Sequence, residues 1–129
     1  MSLELTLLVW STVVFGLYVG AQSITYRMQY GVEFANGPRD DEAPQNALTG
    51  RADKALRNFL ETYGVFIALA VATELSGRSD GLTQWGAIIW LVCRIVYLPL
   101  YVTGVQNIRS LVWFISFIGL VLMFIGVAF

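Results

Sequence analysis

Four apolar runs, Leu3 to Thr25, Ala55 to Leu75, Leu82 to Gly104 and Leu111 to Phe129, occupy most of this 129-residue chain. A helix crosses a bilayer with about 20 residues, so each run is long enough to span. Inside hydrocarbon every backbone N–H and C=O must be paired within the protein, which leaves only helices and closed barrels as spanning structures. Runs this continuous select the helix. Hydrophobic residues make up 57% of the chain and charged ones 13%, against about 25% charged in a soluble domain. The sequence therefore predicts an all-α integral membrane protein, a single domain over residues 1–129 built as a bundle of four transmembrane helices.

The connections set the order of the helices. Residues 27–51 form one long polar loop with turn signals at Asn36-Gly37-Pro38, Pro44 and Gly50. The other two links, Ser76 to Gly81 and Val105 to Ser110, are short and predict antiparallel neighbours, up-down-up-down. The first run carries Glu4 but no Lys or Arg ahead of it, and it exceeds a signal-peptide core, so a retained span is expected. Arg27, Arg39, Arg51, Lys54, Arg57 and Arg109 fall on one side of the four-span layout and Arg78 on the other. The enrichment of cytoplasmic loops in Lys and Arg then places both termini away from the cytoplasm. Trp85 and Trp113 suit interfacial positions, and Trp10 and Trp90 are packing candidates.

Zero histidines and one cysteine, Cys93, exclude histidine-ligated haem, cysteine-held iron–sulfur clusters and His/Cys zinc sites, and no metal is expected. Cys93 reads as a small apolar packing residue. A net charge of −1 gives no basic face for nucleic acid.

The costly residues lie at membrane depth. At 100° per residue, Arg51, Lys54, Arg57, Asn58 and Glu61 project within an arc of roughly 120° on the second span, and Arg94, Tyr97 and Tyr101 within roughly 60° on the third. Such a polar face must turn to the bundle interior or to a neighbouring subunit. Glu61 and Arg94 each lie roughly 15 Å from the cytoplasmic ends of their spans, which predicts an ion pair between them. These groups could simply neutralise one another and fix helix packing. The surplus of cations near Lys54, Arg57, Tyr97, Tyr101 and Arg109 instead calls for an anionic ligand carrying carboxylates. Pro99 either distorts the third helix or is tolerated within it.

The run Arg51-Ala-Asp-Lys-Ala-Leu-Arg-Asn-Phe-Leu-Glu61-Thr62 resembles the second-helix signature of the MAPEG family, membrane-associated proteins in eicosanoid and glutathione metabolism: a basic residue, Ala, two variable positions, Asn, two more and Glu, here Lys54, Ala55, Asn58 and Glu61. Arg94-Ile-Val-Tyr97, Tyr101 and Arg109-Ser110 resemble the family's third-helix motif and the basic residue after it, and Gly37-Pro-Arg-Asp-Asp-Glu42 the first loop of bacterial members. The resemblance implies a homotrimer, placed for a bacterial member in the inner membrane, with glutathione as co-substrate between subunits. It implies glutathione contacts at Arg51, Lys54, Asn58, Glu61, Arg94 and Tyr97, a catalytic Arg109 that stabilises the thiolate, and a second catalytic group in Tyr101. The implied activity is a glutathione-dependent transferase or peroxidase acting on apolar electrophiles. Lys54 stands where many members have arginine, which keeps the charge and loses the bidentate fork. The alternatives are a non-enzymatic membrane scaffold with the same fold and a small proton-coupled exporter. The exporter is disfavoured because Glu61 lies among cations that hold it ionised.

Overall fold

The computed structural model describes residues 1–129 and is helical throughout, without strands. Its elements are α1 (Leu3–Tyr30), α2 (Val32–Asn36), α3 (Ala47–Ser76), α4 (Gly81–Val102) and α5 (Asn107–Ala128). Four of them, all but the short α2, are long and apolar enough to cross a membrane. Two helices outrun the apolar stretches that announce them: α1 continues to Tyr30, and α3 begins at Ala47 rather than near residue 55. The early start of α3 has a local cause. The Asn46 side chain accepts a hydrogen bond from the Thr49 N–H at 2.9 Å, an N-cap contributing roughly 1 kcal/mol. The Thr49 hydroxyl donates to the Thr25 carbonyl, and Gln29 bonds both Pro44 and Asn46. Much of residues 27–51 is therefore helix, the end of α1, the short α2 and the start of α3, with the irregular chain confined to Gly31 and residues 37–46.

α4 starts at a capping box, in which Asp80 and Thr83 satisfy each other's backbone N–H groups. It runs unbroken through Pro99 to Val102, so the proline is tolerated within the helix. At the end of the bundle opposite the loop, the Ser2 N–H donates to Glu74, Ser79 donates to Glu4 and Arg78 donates to the Val127 carbonyl. Both chain termini and the α3–α4 turn thus meet at one end; the long loop and the α4–α5 link share the other.

The core is a column of rings. Trp90 of α4 is fully buried and stacks on Phe66 of α3 at 4.1 Å between centroids, with Phe59 and Tyr63 packed around it. Val14 and Tyr18 of α1 and Leu120 and Met123 of α5 complete the cluster. On α3 the buried residues Ala52, Ala55, Phe59, Phe66, Ala70 and Thr73 follow helical spacing. Only 25 of 129 residues are buried, and many large apolar side chains face outward, as a lipid solvent allows. Trp10, a packing candidate by sequence, is one of these at 61% exposure, whereas Trp90 is core.

α4 and α5 form the most extensive helix pair. A Cβ built on Gly86 would lie 2.5 Å from the Gly119 carbonyl oxygen, and one on Gly119 would lie 2.6 Å from that of Gly86. Each glycine therefore accepts the backbone of the other helix, the close approach that small residues permit where lipid gives no hydrophobic drive to association.

Candidate functional site

The loop end holds the groups that chemistry needs. α3 begins its polar face there, the last turns of α4 bring Tyr97 and Tyr101, and the first turns of α5 bring Arg109, Ser110 and Trp113. These elements form an open cavity of about 280 Å³ lined by Asn58, Tyr97, Tyr101, Arg109, Ser110 and Trp113. A larger hollow of about 630 Å³ lies in the loop, among Tyr30, Phe34 and Arg39. It holds no buried polar atom without a partner, whereas the smaller cavity holds one, so the smaller cavity is the candidate site.

Within that cavity Asn58 Oδ1 is buried without a hydrogen-bond partner. A buried amide oxygen left without a donor costs roughly 1–3 kcal/mol, which a ligand donor can remove. The Arg109 guanidinium carbon stands 4.4 Å from the centre of the Tyr101 ring, so the two residues named as catalytic lie against each other. A cation there restricts the tyrosine and leaves the guanidinium donors free to meet an anion. Tyr97 packs edge-on against Tyr101 at 5.5 Å between centroids. Ser110 and Trp113 escaped the sequence reading as cavity groups. Trp113 lies four residues after Arg109, a spacing that puts the two on one helix face.

Arg94 departs from its expected place. It is fully buried on the core side of α4, behind Tyr97 rather than in the cavity wall, with the guanidinium carbon 4.6 Å from the Tyr97 ring centre and 5.4 and 5.8 Å from those of Phe59 and Tyr18. None of its three guanidinium nitrogens has a hydrogen-bond partner. Tyr18 donates to the Arg94 carbonyl at 2.6 Å, tying α1 to this turn. The expected ion pair with Glu61 does not form within one chain; the single ion pair is Arg57 with Asp53, at 3.3 Å. Rotation of α3 explains the difference. Glu61 lies roughly 150° around the helix from its buried stripe and is exposed, so equal depth did not bring it to Arg94.

The remaining candidates line the outside of the same region. Lys54 is exposed and outside the cavity wall. Arg51 lies over Gly104 in the α4–α5 link. The polar face of α3 is thus turned away from its own bundle, toward whatever packs on the subunit.

The chain matches the model of the MAPEG family over residues 2–129. No curated protein and no solved structure matches it.

Proposed function

The chain belongs to the MAPEG family, and from that premise we propose that it is a glutathione-dependent membrane transferase or peroxidase acting on apolar electrophiles. The observation that carries this reading is the cavity at the loop end, where an unpartnered buried Asn58 oxygen, two tyrosines and the Arg109 guanidinium face one space. Glutathione offers donors for Asn58 and carboxylates and a sulfur for the cations. A space of about 280 Å³ is small beside the roughly 300–1,000 Å³ usual for ligand sites. The outward-facing Lys54 and Glu61 support a site completed by an adjoining copy, as in a homotrimer.

In this reading Arg109 holds the sulfur as thiolate. A thiol of pKa about 8.5 is mostly protonated at neutral pH, and an adjacent guanidinium lowers that value. The thiolate lone pair forms a C–S bond to an electrophilic carbon while the bond to the leaving group breaks and that group takes the electron pair. With a hydroperoxide, sulfur attacks the terminal oxygen and an alkoxide leaves and is protonated; a second glutathione then yields the disulfide and water. The Tyr101 hydroxyl donates a hydrogen bond to the sulfur or to the departing oxygen. Arg94 acts without contact, as a buried positive charge behind Tyr97. The excess of cations at the loop end supports a cytoplasmic location for the site and termini on the opposite face.

The competing reading is a scaffold, favoured by one observation: the Arg94 guanidinium is held among three aromatic rings and does not reach the cavity. Calorimetry with glutathione on the detergent-solubilised protein separates the two. The enzyme reading requires binding at millimolar concentration or tighter, weakened by Asn58→Ala; no heat at millimolar glutathione would leave the scaffold.

A further inference from the structure

The link between α4 and α5 passes through Gly104, whose φ of +81° belongs to the region side chains disfavour. Its second peculiarity is what lies over it. A Cβ built there would meet the Arg51 guanidinium face-on, 2.9 Å from Cζ, 3.0 Å from Nη2 and 3.1 Å from Nη1. Three nearly equal distances mean that the guanidinium plane lies flat on the bare glycine. Arg51 is exposed and makes no ion pair and no hydrogen bond from its side chain within the chain, so Gly104 is the surface its guanidinium rests on. Arg51 also stands two turns before Asn58 on α3, about 10 Å along the helix, while Gly104 stands five residues before Arg109.

We propose that Gly104 is a positioning residue: its missing side chain makes the seat that holds the Arg51 guanidinium, with its donors free, at the rim of the cavity as a second anion-reading group beside Arg109. This inference rests on the glutathione reading for its ligand, and the seat itself stands apart from it. A flat, preoriented guanidinium can grip a carboxylate bidentately, whereas a freely moving one must first lose rotamer entropy. One carboxylate of the tripeptide is then recognised by Arg51, about two helical turns from the Asn58 contact.

The test uses the full chain in detergent and the variants Gly104→Asn, Arg51→Ala and the double change. Asparagine tolerates positive φ better than most residues but brings the Cβ that lifts the guanidinium, so it separates the seat from backbone strain. Without ligand, Gly104→Asn displaces only the mobile end of an exposed side chain, so its loss of Tm is expected to be larger by about 1–2 °C in the wild-type background than with Arg51→Ala. Equal losses in both backgrounds would overturn the seat. With ligand, calorimetry compares glutathione, its glycyl ethyl ester, and cysteinylglycine, which lacks the γ-glutamyl carboxylate. Gly104→Asn and Arg51→Ala should each weaken glutathione about tenfold, the scale of one charge-assisted hydrogen-bonded contact. Both should leave unchanged the analogue that already lacks the recognised carboxylate. A uniform loss across all three ligands would reduce Gly104 to a purely structural role. Should the wild type bind no glutathione, the functional reading falls, and the ligand-free Tm comparison still decides the seat.

Discussion

Replacing Arg94 by methionine is expected to stabilise the ligand-free protein and, under the proposed function, to weaken glutathione binding. The guanidinium is fully buried at membrane depth, and all three of its nitrogens lack acceptors. An arginine at the centre of a spanning helix costs about 2.5–3.5 kcal/mol. Against this stand the ring contacts. Tyr97 at 4.6 Å is well within range, while Phe59 at 5.4 Å and Tyr18 at 5.8 Å lie near its limit; together they return about 1–2 kcal/mol. Methionine fills a similar volume with a flexible apolar chain, so the net gain is about 1–2 kcal/mol, or a Tm higher by about 4–8 °C for a chain of this size. Thermal unfolding in detergent, followed by tryptophan fluorescence without ligand, measures it. Calorimetry on the same variant should show weaker glutathione binding, because the positive charge behind Tyr97 is gone. A fall in Tm would refute the reasoning, since it would mean that the guanidinium has an acceptor from an adjoining copy that outweighs its desolvation.

Three further outcomes are expected. Gly119→Ala places a methyl 2.6 Å from the Gly86 carbonyl oxygen and should destabilise by about 1–3 kcal/mol through overpacking, read as a lower Tm; an unchanged Tm would show the α4–α5 contact to be looser than described. Glu4→Ala removes the acceptor of the exposed Ser79 hydroxyl at 2.9 Å and should cost about 0.5–1.5 kcal/mol, the net value of one hydrogen bond, with any glutathione binding unchanged because Glu4 lies at the opposite end of the bundle. Arg109→Ala should move the pH midpoint of activity upward: a thiol whose pKa is lowered in the site is ionised from a lower pH, so losing the cation shifts ionisation back toward about 8.5. An unshifted pH–rate profile would remove Arg109 from thiolate stabilisation.

The four spans were legible because apolar length alone identifies them, and the polar stripe of α3 because its spacing is helical. The start of α3 was hidden: hydropathy falls before residue 55, and the signal that mattered was Asn46 with its bond to Thr49. Arg94 and Glu61 misled for a different reason. Depth along a helix is readable from residue count, but which way the helix is turned depends on what it packs against. Phe59 and Phe66 turn α3 toward Trp90 and so carry Glu61 outward. Of the eight candidates, Asn58, Tyr97, Tyr101 and Arg109 share the cavity wall. Trp113 was legible in principle from its spacing to Arg109, but its position at a helix start suggested a membrane-interface anchor instead.

The mutual glycine contact of α4 and α5 also bears on how the cavity can open. With backbones locked at Gly86 and Gly119, the two helices behave as a stiff fork whose tines carry Tyr97 and Tyr101 on one side and Arg109 on the other. α3 touches each tine far less, so any widening of the cavity must come from α3 swinging against the fork. Asn58 would then travel with the moving part while the tyrosines and the arginine keep their mutual spacing. Spin labels on α3 and α5 should accordingly report a broader distance distribution than a pair on α4 and α5.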